Sequence, residues 1–150
     1  MRNLILIAST LLIFMSCTHR QVPKAELTGW DKVPEILKNI SEPVFPDQVF
    51  NVLDYGAKSD TTVDSRMAIL EAVNACNLAG GGKVLVPAGT YFIKGPIVLK
   101  SHVNLHLEKG ARLEFSTNPD DYLPMVLTKW DGTECYNYSP FIYSYQCVDV

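Results

Sequence analysis

Between Lys83 and Phe115 lie short runs in which an apolar side chain falls on every second residue. Val84 and Val86 come first, then Tyr91 and Ile93, Ile97 and Leu99, then Val103, Leu105 and Leu107, and last Leu113 and Phe115, with polar residues between those of the last two runs. A period of two belongs to a strand that buries one face and wets the other. Runs this short cannot shield their own apolar faces. Their breaks, at Pro87, Gly95-Pro96, Lys100-Ser101-His102 and Lys109-Gly110, recur at the spacing of rungs in a solenoid, where each coil covers the face of its neighbour. The expected fold is therefore mainly β, a right-handed parallel β-helix.

A helix leads into this ladder. Ile69, Ala72, Val73, Cys76 and Ala79 share one face of a segment running from Ser65 to Ala79, and Gly80 stands where a helix ends in a left-handed residue. Asp64 is placed as its N-cap. A stack of rungs has an open apolar end and unpaired edges, and a helix at that end would cover them. Gly80-Gly81-Gly82 does not form a phosphate cradle, because nucleotide loops run strand, glycines, helix, and the order here is helix, glycines, strand. The glycines serve a tight reversal into Val84-Leu85-Val86.

Upstream, residues 1–17 have the form of an export signal: Arg2, an apolar run from Leu4 to Met15, then Ser16 before Cys17. Two readings stand. Phe14-Met15-Ser16-Cys17 is similar to a bacterial lipobox, which makes Cys17 an acylated N-terminus and the protein a lipoprotein of the periplasm or outer membrane. The other is ordinary secretory cleavage. Residues 18–29 are a polar tether. In the segment 30–40, Val33, Ile36, Leu37 and Ile40 make a short amphipathic stripe, with Pro34 in the first turn and Trp30 as a packing residue at its edge. Pro43 and Pro46 then enforce an extended crossing into Val49-Phe50-Asn51-Val52.

The net charge of −3, without a basic run, gives no reason to expect nucleic acid. Beyond Cys17 three cysteines remain, Cys76, Cys135 and Cys147, an odd number for a disulfide framework. Cys76 belongs to the helix core; Cys135 and Cys147 could pair, and nothing in the sequence fixes their geometry. No metal site is expected. Asp54, Asp60 and Asp64 lack the spacing and closing Glu of a calcium loop. His102 and His106, placed on the outer face of one strand with Asn104, have no third ligand near them.

Phe50 to Lys58, the helix, the triple glycine, Val86-Pro87-Ala88-Gly89-Thr90-Tyr91 and Leu99-Lys100-Ser101-His102-Val103-Asn104-Leu105 together resemble the opening of the pectin-degrading β-helix enzymes. The resemblance is to the polygalacturonases of glycoside hydrolase family 28. Lys129-Trp130-Asp131-Gly132-Thr133-Glu134-Cys135-Tyr136-Asn137-Tyr138-Ser139-Pro140 is similar to a signature of bacterial members. It covers Trp30 to Val150, with Ser59-Asp60-Thr61-Thr62 where the family carries a further glycine.

The resemblance implies inverting hydrolysis of galacturonosyl linkages in pectic polysaccharide or oligogalacturonides, by paired aspartates and without a cofactor. Asp120-Asp121 is an adjacent acidic pair, but the Asn-Thr-Asp, Gly-His-Gly and Arg-Ile-Lys motifs that accompany the family's pair do not occur in these residues. No catalytic residue is therefore assigned, and the catalytic set is expected downstream of Val150, in a longer enzyme of which 30–150 is the N-terminal part. Trp130, Glu134, Tyr136 and Asn137 are kept as substrate-binding candidates, since aromatic and amide groups suit sugar faces and hydroxyls. Packing accounts equally for the alternating Tyr136, Tyr138, Tyr143 and Tyr145. A β-helix lyase or epimerase, and a non-catalytic carbohydrate-binding or truncated remnant, are the alternatives.

Overall fold

A computed structural model describes residues 29–150; the export segment 1–17, Cys17 and the tether as far as residue 28 lie outside the described residues. The chain divides into two units, 1–41 and 42–150. In the first, a 3-10 turn Gly29–Lys32 precedes helix α1 (Val33–Lys38), with Pro34 in its first turn as its locked φ favours. Trp30, Ile36, Leu37 and Ile40 are exposed. Trp30, 89% exposed, does not take the packing role expected of it among the described residues.

The second unit carries the rungs. β1 (Val49–Asn51) is followed by a 3-10 turn and by α2 (Arg66–Leu78), then β2 (Gly82–Val86), β3 (Gly89–Ile93), β4 (Ile97–Val98), β5 (Val103–Leu107) and β6 (Ala111–Phe115). A 3-10 turn at Pro119–Tyr122, an antiparallel hairpin of β7 (Val126–Trp130) and β8 (Thr133–Asn137), and β9 (Ile142–Tyr143) complete it. Three parallel ladders join successive coils: β1-β2-β5, β3-β6 and β4-β9. Twenty-one residues separate Gly82 from its partner Val103, and twenty-two separate Gly89 from Ala111. Ile97 and Ile142 are forty-five apart, because the second coil carries the 3-10 turn and the hairpin at its third corner.

The first coil is sealed on both sides. Val84, Val86, Tyr91, Ile93 and Ile97 are buried with Ile69, Ala72, Val73 and Cys76 of α2, each such aliphatic side chain worth roughly 1.5–3 kcal/mol of burial. The second coil keeps the alternation but loses cover: Leu105, Leu113 and Phe115 are half-buried, and Leu107 is 39% exposed.

Several local expectations are met and others corrected. Gly80 takes φ 91°; its N–H donates to Asn77 O at 3.1 Å and that of Gly81 to Cys76 O at 2.9 Å, the paired bonds of a Schellman ending. The N-cap position belongs to Ser65 rather than Asp64. Ser65 Oγ is engaged elsewhere: it accepts from Lys58 N and donates to Lys58 O, both at 3.0 Å. Asp64 Oδ1 accepts the Arg66 and Lys94 N–H groups at 2.9 and 3.0 Å, so it caps from one residue further out and also ties the helix start to the end of β3. In the loop before it, Asp60 Oδ1 accepts from both the N–H and the hydroxyl of Thr62 at 2.7 Å. Those bonds hold the Asp60 carboxyl below its ordinary value, and they build with side chains the turn that a glycine would otherwise allow.

His102 is not in a strand with His106. It sits at φ 63° in the turn before β5, with Nδ1 3.2 Å from Asp149 Oδ2, because the reversal between β4 and β5 needs one left-handed residue. Tyr136 to Tyr145 is not one run either: Ser139-Pro140 separates β8 from β9.

Cys76, Cys135 and Cys147 are all unpaired. Cys76 is buried and burial pushes its thiol up, while the other two are half-buried. The thiolate is the reactive form. Cys135 and Cys147 are therefore expected to react with an aromatic disulfide reagent in the native state and Cys76 only after denaturation, which mapping the labelled peptides checks.

Candidate functional site

Asp120 and Asp121 lie in the 3-10 turn Pro119–Tyr122, which Asn118 opens by accepting the Asp120 N–H at 3.2 Å. Asp121 is already occupied. Its Oδ2 accepts the Ser116 hydroxyl at 2.6 Å, Lys94 Nζ lies 3.9 Å from Oδ1, and its side chain is 13% exposed. Tyr122 donates to Ser116 O at 2.6 Å, and its phenol is pushed up by burial and then by the Asp121 charge. Asp121 thus locks a corner of the second coil. A hydrogen bond to a charged acceptor is worth about 1.5–3 kcal/mol; Asp121→Asn is expected to lower stability by up to about that much, as a denaturation curve would show.

The hairpin reverses through Asp131 at φ 46° and Gly132 at φ 82°, two successive left-handed residues that match the twist of the strands. Trp130 pairs with Thr133, Lys129 with Glu134, Leu127 with Tyr136 and Val126 with Asn137. Side chains of directly paired residues share a face, and successive residues alternate. The four candidates are therefore split: Trp130 and Asn137 lie on one face of the ribbon, Glu134 and Tyr136 on the other. They do not converge on one point. What the ribbon offers instead is an exposed ring on each face, Trp130 at 71% and Tyr136 at 72%, and its base is fixed where Tyr143 donates to Leu127 O at 3.2 Å.

Behind the hairpin, Pro119, Tyr122, Tyr138, Ser139, Pro140 and Phe141 line an apolar cleft of about 370 Å³. Phe141 stacks on Phe115 with ring centroids 4.7 Å apart and tilts against Tyr122 at 5.6 Å. Reading the sequence for carboxylates and for the Trp130 cluster missed Tyr122, Tyr138 and Phe141; the dense aromatic and proline run from Tyr138 to Phe141 was the available signal. Such a cleft can hold an apolar face, but it supplies no acid and base pair. Among the described residues no three His, Cys, Asp or Glu side chains gather where a metal ion could sit.

Residues 49–110 match the family model described as rhamnogalacturonase A/epimerase, pectate lyase-like. The chain is 34% identical over 116 residues to the plasmin and fibronectin-binding protein A of Streptococcus pneumoniae, covering 69% of this chain and 16% of that protein. It is 43% identical over 75 residues to the exo-poly-alpha-D-galacturonosidase of Dickeya chrysanthemi, covering 50% of this chain and 12% of that enzyme. Among solved structures, the exopolygalacturonase of Thermotoga maritima superposes with a TM-score of 0.73 at 40% identity, over 77% of this chain and 26% of that one. The chain thus spans 12–26% of the length of these proteins.

Proposed function

The chain resembles the N-terminal portion of the family 28 polygalacturonases, and from that premise we propose that it forms the opening coils of a right-handed parallel β-helix hydrolase acting on pectic polysaccharide. The observation that carries this reading is the superposition on an exopolygalacturonase with a TM-score of 0.73 at 40% identity over 77% of the chain. The role of these residues is structural first: α2 closes the apolar end of the stack, and the three ladders set the rise on which further coils build. Hydrolysis with inversion needs two carboxyl groups about 6.5–9.5 Å apart, one to protonate the leaving oxygen and one to activate water. Asp121 is committed to Ser116, so the reading places that pair on polypeptide outside these 150 residues. Trp130 and Tyr136, exposed on a ribbon that projects from the second coil, are the groups of this chain suited to stack on sugar rings.

The test is digestion of de-esterified homogalacturonan by the native protein that carries this chain. Hydrolysis releases saturated reducing ends. Unsaturated uronates would replace the reading with a lyase, a class that the description of the matched family model keeps in view. Binding without turnover would favour a binding protein, the kind of role that the pneumococcal relative's name gives that protein for plasmin and fibronectin.

Export with a lipid anchor at Cys17 is part of the same proposal. Cys17→Ala is expected to abolish acylation and release the protein from the membrane fraction, since each buried CH₂ contributes about 0.8 kcal/mol; mass spectrometry of the mature N-terminus checks it.

A further inference from the structure

On the outer face of the β1-β2-β5 ladder, Val49, Lys83 and Asn104 stand side by side in one row of the register. With Phe45, Asp47 and Gln48 from the segment leading into β1 they line a cleft of about 370 Å³. Its electrostatics are unfinished. Lys83 is half-buried, and its ammonium has no ion pair or hydrogen bond among the described residues. Asn104 is half-buried too, and its amide makes no side-chain hydrogen bond. Gln48 makes one long bond, its amide donating to Ala79 O at 3.5 Å. A lysine that buries its stem keeps its ammonium's donors available, and an anion that enters beside it gains charge-assisted hydrogen bonds.

We propose that this cleft binds one uronate residue of an acidic polysaccharide. Lys83 takes the carboxylate, and the Asn104 and Gln48 amides take hydroxyls. Asp47, exposed at the rim, accepts a hydroxyl hydrogen, and the half-buried Phe45 ring meets the C–H face of the sugar. The requirement for an anion comes from Lys83 alone; that the uronate is galacturonate rests on the proposed function. Lys83 points outward from β2 while Val84 and Val86 fill the core, and its backbone N–H bonds to Gln48 O at 2.8 Å whatever the side chain. Lys83→Gln therefore removes the charge and keeps the ladder.

The test titrates the native protein with trigalacturonate and follows the Asn104 side-chain amide by NMR, with galactotriose as the neutral control. Trigalacturonate should move that resonance and galactotriose should not. Lys83→Gln should raise the concentration needed about tenfold, and Asp47→Asn, which removes a like charge, should lower it. An Asn104 resonance that does not move, an equal response to galactotriose, or a Lys83→Gln midpoint equal to wild type overturns the site. Binding is read apart from turnover: hydrolysis without an Asn104 shift sinks this site alone, and the shift without hydrolysis sinks only the proposed function.

Discussion

Replacing Gly81 with alanine is expected to lower the stability of the coil stack by about 3–5 kcal/mol, well beyond a simple loss of backbone freedom. Gly81 sits at φ 113°, and a Cβ there would lie 2.6 Å from the His102 carbonyl oxygen and 2.7 Å from His102 Cβ. That carbonyl also accepts the Gly82 N–H at 3.0 Å, the bond that opens the β2-β5 ladder. The new methyl group can be seated only by prising the two coils apart where they first meet. Gly110 is the matched control: its φ is 91°, but its added Cβ meets nothing nearer than Ala88 Cβ at 3.6 Å. Gly110→Ala should thus cost only the backbone strain, about 1–3 kcal/mol. Chemical denaturation compares the two variants. Hydrogen exchange of the Gly82 amide should speed up in Gly81→Ala and stay near wild type in Gly110→Ala; equal effects would show that contact between coils is not what Gly81 protects.

Tyr91→Ala is expected to cost a similar amount, about 3–5 kcal/mol, the range for emptying a large aromatic site. Tyr91 is 1% exposed at the centre of the first coil, in register with Leu113 below it. Tyr91→Phe keeps the ring and separates packing from ionisation. Burial, and then the charge of Glu108, push the Tyr91 phenol up, so the folded state holds its proton more tightly than the unfolded chain. The stability linked to that proton is intact below the ordinary tyrosine value of about 10 and is lost as pH rises through the folded value. Tyr91→Phe should therefore gain on wild type in alkaline solution and match it more closely at neutral pH, as denaturation midpoints across that range would reveal.

The elements most legible in the sequence are those with one fully buried face. Val84, Val86, Tyr91 and Ile93 alternate because one face is fully buried against the core with α2 while the residues between them are only half-buried, and strands β2 to β6 fall between the predicted breaks. Helix α2 was equally plain, with its apolar stripe and Gly80 behind it. The hairpin was not legible. Val126, Thr128 and Trp130 mix residue types along one face and Leu127 and Tyr136 share the other, so neither face carries a clean apolar signal. His102 misled for a different cause: its alternation with Asn104 and His106 continues the strand pattern, but the reversal demands a left-handed residue there.

The candidate site was legible only in its materials. Trp130, Glu134, Tyr136 and Asn137 are the right residue types for sugar contact, and it is their register in the ribbon that sets them on opposite faces. Lys83 and Asn104, twenty-one residues apart, become neighbours only through the stacking of β2 on β5.

The central claim, that these coils open an inverting pectic hydrolase, is tested most directly by the anomeric proton spectrum of the first products released from oligogalacturonide by the native protein. Inversion at an α-linkage predicts that the β-anomer of the new reducing end appears first and then mutarotates. Initial release of the α-anomer, or of an unsaturated uronate, would contradict it.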